Sequence, residues 1–123
     1  MAVITAPDRP THDLGGTHFT SLATPSRGST ETAVWRVVVE PGVVPTPHRL
    51  TREEVFVVLA GRADVTLAGV GSVACAGDAI VVPPDIDFAL SNGGPDDLEL
   101  VCCLPVGGQA VTADATFTPP WAQ

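Results

Sequence analysis

At 123 residues and 45% hydrophobic composition, the chain has room for one domain and enough apolar content for a single core. Its net charge of −8, with no lysine and six arginines, excludes the clustered cationic surface that neutralises nucleic-acid phosphates. No stretch approaches the roughly 18 consecutive apolar residues of a membrane helix, so no membrane association is expected.

The first segment, residues 1–16, carries Asp, Pro, Thr and Gly without alternation and reads as an N-terminal arm. Asp8 and Pro10 arrive before any apolar leader develops, so no secretory signal is expected and a cytoplasmic location follows. From residue 17 to 104 the chain is cut too often by glycine and proline for long helices. The short stretches between are rich in Val, Thr, Ile, Leu and Phe, which predicts an all-β sandwich or barrel. Strands are predicted near 18–23, 32–40, 53–59, 62–68, 71–75, 79–82, 86–91 and 97–104. Turn signals separate them, among them Pro41-Gly42, Ala60-Gly61, Ala76-Gly77-Asp78, Pro83-Pro84-Asp85 and Asn92-Gly93-Gly94-Pro95. Residues 105–123 form a C-terminal arm. Its closing Trp121 wants burial, so both arms are candidates to cover a sheet edge or a neighbouring subunit. The three cysteines, Cys75, Cys102 and Cys103, make no even disulfide framework and read as reduced thiols. Heavy use of Ala, Val, Gly and Thr without Lys hints at a GC-rich bacterial source.

The chemistry concentrates between Pro41 and Asn92. Gly42 is followed after five residues by His48, then by Leu50, Glu54 and Gly61; a second block runs Gly77, Pro83, Asp85, Phe88, Asn92. These spacings, and the phrase Glu53-Glu54-Val55-Phe56-Val57-Val58-Leu59-Ala60-Gly61-Arg62, resemble the two motifs of the cupin superfamily. The resemblance spans most of the central chain. It implies a single-domain cupin-type β-barrel (a double-stranded β-helix, or jelly roll) with the arms outside it, and it implies a homodimer packed or exchanged through sheet edges.

In metal-binding cupins, two His and a Glu of the first motif and a His of the second hold one divalent ion. The resemblance places these ligands at His48, Leu50, Glu54 and Phe88, so two of the four are apolar here. Transition-metal sites generally need three or four protein donors; no metal and no other cofactor is therefore expected. The glycine of the second motif is replaced by Asp85, which is expected to change that turn. A rebuilt site recruiting Glu53, Asp87, Glu99, a cysteine, His12 or His18 is the minority alternative.

Residues 48, 50, 54, 56 and 58 share parity, as do 86, 88 and 90, so each set faces one side of a continuous strand. Leu50, Phe56, Val58, Ile86, Phe88 and Leu90 are thus expected to form an apolar lumen around His48 and Glu54, the common make-up of a small-molecule site. A carboxyl in such surroundings has a raised pKa and an imidazole titrates near neutrality, which suits an acid–base pair. Arg36 interrupts Val34 to Val39; facing inward it would anchor an anion, facing outward it would pair with an acid.

The reading is an enzyme without metal that isomerises, dehydrates or cyclises a mostly apolar metabolite. His48 and Glu54 act as acid and base, with Arg36 as the anion anchor. The resemblance adds polyketide tailoring to the substrate classes. The alternatives are a non-catalytic module holding a hydrophobic ligand and a metal-dependent cupin with a rebuilt site.

Overall fold

The computed structural model describes residues 2–123. The strands, in chain order, are β1 (His12–Leu14), β2 (Thr17–Ala23), β3 (Thr32–Val39), β4 (Arg49–Leu50), β5 (Glu54–Ala60) and β6 (Arg62–Leu67), followed by β7 (Val70–Cys75), β8 (Ala79–Val82), β9 (Phe88–Asn92), β10 (Leu98–Pro105), β11 (Ala110–Val111) and β12 (Thr116–Phe117). Two short 3-10 turns, Pro25–Arg27 and Pro120–Ala122, complete the elements. No helix among the described residues is long and apolar enough to cross a membrane.

Six strands form the large sheet in the order β1-β2-β3-β10-β5-β8. Two three-stranded sheets, β7-β6-β9 and β12-β11-β4, lie alongside it, and all strand pairs are antiparallel. The architecture is an all-β jelly roll, as the punctuation and alternation predict.

Strict alternation sets which side of the large sheet is core. On β10, Leu98, Leu100, Cys102 and Leu104 are buried; on β3, Ala33, Trp35, Val37 and Val39 are buried. The register pairs Leu100 with Val37 and Cys102 with Trp35, so both strands turn these residues to the same face. Arg36 and Cys103 necessarily point the other way. Ala60-Gly61 makes the β5–β6 turn, where Gly61 has φ +84° and an added Cβ would meet the Asp97 carbonyl oxygen at 2.6 Å. Any other residue there must displace backbone.

Both arms carry structure. β1 pairs with β2 through His12–Phe19, Asp13–His18 and Leu14–Thr17. The C-terminal arm supplies β11 and β12, with β11 paired to β4. It ends with Trp121 stacked on Phe19, centroids 3.6 Å apart and planes 8° from parallel. The Ser21 hydroxyl donates to the Trp121 carbonyl at 2.8 Å and fixes that end. Trp121→Ala removes the stack and is expected to cost about 3 kcal/mol, the low end for a large aromatic because the ring is only half-buried; a urea titration measures it.

At the other end of the hairpin, His18 sits between two acids. Its Nδ1 meets Asp13 Oδ1 and its Nε2 meets Glu40 Oε2 at 2.7 Å. The Asp13 hydrogen bond, then that of Glu40, raises the His18 pKa above its ordinary 6.5. Protonated His18 therefore favours the folded state: this contribution is full below the ordinary value and is lost as pH rises through the raised folded value. His18→Gln is expected to remove that part of the pH dependence, read as a flatter profile of urea midpoint against pH.

Candidate functional site: an apolar cavity with a buried carboxyl

Between the sheets lies a cavity of about 530 Å³. The large sheet contributes Phe19, Trp35, Val37, Val39, Glu54, Phe56, Leu100 and Cys102 to its walls. Leu50 comes from β4, Phe88 and Leu90 from β9, and Ala110, Thr112, Phe117, Pro119 and Trp121 from the C-terminal arm. At the rim are Leu14, Gly15 and Thr17 from the β1–β2 turn, and Val43 to Thr46 from the loop before His48.

His48 and Phe88 are joined by a backbone bridge, with His48 N–H donating to the Phe88 carbonyl at 3.0 Å and Phe88 N–H to the His48 carbonyl at 2.9 Å. Their rings lie 4.3 Å apart between centroids. The His48 Nδ1–H donates to the Thr46 carbonyl at 2.8 Å. A carbonyl only accepts, so in neutral His48 the proton sits on Nδ1 and the lone pair on Nε2.

Glu54 opens β5, paired with Val82, and is 4% exposed. Among the described residues its carboxyl has no hydrogen-bond or ion-pair partner, neither His48 nor an arginine. Burial alone pushes its pKa up to about 8. The carboxyl is consequently protonated at neutral pH, a donor in an apolar chamber. Cys102 lies in the same wall, and its thiol is pushed well up by burial, then by Glu54 and Cys103. It stays a protonated, inert thiol.

Most of the residues predicted for the lumen line this cavity: His48, Leu50, Glu54, Phe56, Phe88 and Leu90. The reason is not one continuous strand. His48 and Leu50 precede a break at residues 51–53, and β4 and β5 belong to different sheets that face each other. Three predicted positions fall elsewhere. Arg36 points outward from β3 and its Nη2 donates to Glu99 Oε2 at 3.0 Å, so it cannot anchor a ligand in the cavity. Val58 is buried in the core without reaching the cavity. Ile86 precedes β9 in a turn and is half-buried away from it. That turn is set by Asp85 at φ +61°, the left-handed region that glycine favours and Asp tolerates. The Asp85 N–H donates to the Leu50 carbonyl at 2.9 Å.

Sequence reasoning missed Trp35 and the C-terminal wall. The alternation of Trp35, Val37 and Val39 against Arg36 was the available signal for the first, and a terminal tryptophan seeking burial for the second.

The donor set does not fit a divalent ion. Leu50 and Phe88 carry no ligand atom, and no group of three or more His, Cys, Asp or Glu among the described residues is placed to hold a metal.

A family model described as "Cupin domain" matches residues 35–104. A search of curated proteins finds no match. Among solved structures, the chain is similar to KdgF from a Halomonas species at 25% identity, covering 76% of this chain and 84% of that one with a TM-score of 0.66. It also resembles the polyketide cyclase RemF from Streptomyces resistomycificus, at 20% identity, 94% and 84% coverage and a TM-score of 0.71. The plu4264 protein from Photorhabdus luminescens is similar at 20% identity, 84% and 87% coverage and a TM-score of 0.70. The last two likenesses carry the fold alone.

Proposed function

The chain belongs to the cupin family, and from that premise we propose that its cavity is an acid–base site for proton transfer on a mostly apolar small molecule, working without a metal ion. The observation that carries the reading is the buried, unpartnered Glu54 carboxyl sharing an apolar chamber with an imidazole whose Nδ1 is tied back to Thr46.

The roles follow from the His48 hydrogen bond and from the burial of Glu54. With Nδ1–H committed to the Thr46 carbonyl, His48 offers Nε2 as general base, and protonated Glu54 offers a proton as general acid. His48 takes a proton from a carbon next to a carbonyl while Glu54 gives its proton to the carbonyl oxygen, leaving an enol. In each outcome the enol O–H proton returns to Glu54 and the proton held by His48 is delivered: to a different carbon conjugated with the enol, which isomerises the molecule; to a hydroxyl on the β-carbon, which leaves as water and dehydrates it; or to the oxygen of a second carbonyl attacked by the enol carbon, which closes a ring. RemF, which shares the fold, is a polyketide cyclase, and ring closure of such a molecule is one form of this chemistry.

The test is deuterium exchange at the α-carbon of cyclohexanone in D2O, followed by NMR. His48→Ala is expected to slow protein-catalysed exchange at least about 100-fold, the usual lower bound for losing a positioned base, with the fold intact by circular dichroism. Equal exchange in the two proteins contradicts the assignment. The lack of a hydrogen bond between His48 and Glu54 favours a second reading, a non-catalytic module for a hydrophobic ligand. That reading predicts saturable binding with no exchange in either protein.

A further inference from the structure

We propose that the ligand of this cavity is an uncharged, flat aromatic carbonyl compound, held by stacking on the aromatic walls and by a hydrogen bond from the Glu54 carboxyl to its carbonyl oxygen. The inference rests on the acid–base reading of the same cavity and names its substrate class.

Three observations carry it. First, none of the six arginines lines the cavity and the chain has no lysine. Arg36, on the strand that forms one wall, is turned to the outside and held there by Glu99. An anionic ligand would enter a low-dielectric chamber without a counter-charge, inside a protein of net charge −8. Second, the polar groups that do line it are few: Glu54, His48, Cys102 and the threonines Thr17, Thr46 and Thr112. The carboxyl, with burial holding it in the acid form, asks its ligand for an acceptor rather than for a cation. Third, all four phenylalanines and both tryptophans of the chain, Phe19, Phe56, Phe88, Phe117, Trp35 and Trp121, stand among the lining residues. Trp121 lies flat on Phe19, and Phe88 is tilted against both His48 and Phe56, centroids 4.3 and 6.0 Å away. Flat aromatic ligands stack on such walls, and a chamber of about 530 Å³ is within the range of ordinary ligand pockets.

The chain carries its own reporter. Both of its tryptophans, Trp35 and Trp121, line the cavity, so intrinsic fluorescence reads occupancy directly. Three probes of matched shape separate the ligand classes: 2-acetylnaphthalene (neutral ketone), 2-naphthoate (anion) and 2-naphthylmethylammonium (cation). The ketone is expected to quench saturably at pH 7 and to bind at least tenfold more tightly than either ion. Its affinity is expected to fall about tenfold by about pH 9 as Glu54 gives up its proton, and Glu54→Gln, which keeps an N–H donor, is expected to abolish that fall.

Binding of the anion or the cation as tightly as the ketone, or quenching by none of the three, overturns the inference. So does a pH dependence that survives in Glu54→Gln. Exchange of cyclohexanone protons with a preference for the cation would leave the acid–base reading standing and remove the ligand class. Ketone-selective binding with no exchange would do the reverse.

Discussion

Replacing Glu54 by Gln is expected to give a protein whose stability, relative to the parent, rises by about 3 kcal/mol between about pH 5 and about pH 8. The unfolded chain ionises this carboxyl near its ordinary value of 4.5, whereas the folded chain holds the proton up to about 8. Between those values the folded state binds more protons, so rising pH favours unfolding. The penalty is absent below the lower value and complete above the upper one. Glutamine has no charge to desolvate and escapes it, and every other titrating group, His18 included, is common to both proteins and cancels in the difference. Paired urea titrations at several pH values measure the effect. The same substitution is expected to abolish proton donation, since an amide cannot replace the acid. Among the described residues Glu54 is the only acid lining the cavity, and a group that weakens the fold at working pH fits a position retained for chemistry rather than stability.

The second large effect is a gain. Leu50→His together with Phe88→His is expected to create a divalent-ion site from a chamber that lacks one. His48, Leu50, Glu54 and Phe88 all line the same cavity, and His48 and Phe88 are bridged through their backbones. Three imidazoles and one carboxylate meet the donor requirement of zinc. The doubly substituted protein loses two buried apolar side chains and is expected to be less stable without metal. Zinc then restores it by mass action, about 2.7 kcal/mol at a hundredfold excess over Kd. The Tm of the parent is expected not to move with zinc, and adding His48→Ala to the double variant is expected to abolish most of the response. Phe88→His alone, with three donors, serves where the double variant does not fold. Zinc stabilisation of the parent protein equal to that of the variant would show that the chain already owns a metal site.

Much of the fold was legible because alternation and turn chemistry are local. The predicted strands at 79–82 and 97–104 correspond to Ala79–Val82 and Leu98–Pro105, bounded by Gly77-Asp78, Pro83-Pro84 and the Asn92 to Pro95 turn. The site was legible where a motif fixed position, at His48, Leu50, Glu54 and Phe88, and less so where parity had to stand in for geometry. Parity carries through an unbroken strand only. It placed Phe56 and Leu90 in the cavity, but Val58 is far enough along β5 to pack into the core instead. Ile86 lies before β9 begins, beyond a left-handed residue, where alternation no longer applies. For Arg36, parity showed that it opposes Trp35 and could not show which of the two faces inward; packing against Leu100 and Cys102 decided for Trp35. The C-terminal wall was the least legible part. Phe117, Pro119 and Trp121 reach the cavity by long-range pairing of Ala110–Val111 with Arg49–Leu50 and by the stack on Phe19, and neither contact leaves a local pattern.

The measurement that bears most directly on this account is the titration of the Glu54 side-chain carboxyl by 13C NMR, assigned by comparison with Glu54→Gln. A midpoint near 8 is predicted, establishing a neutral carboxylic acid in the cavity at physiological pH and with it the proton donor that the mechanism and the ligand class both require. A midpoint at or below about 5, in the range of an ordinary solvated glutamate, would mean that the group is ionised in the folded protein and would contradict both.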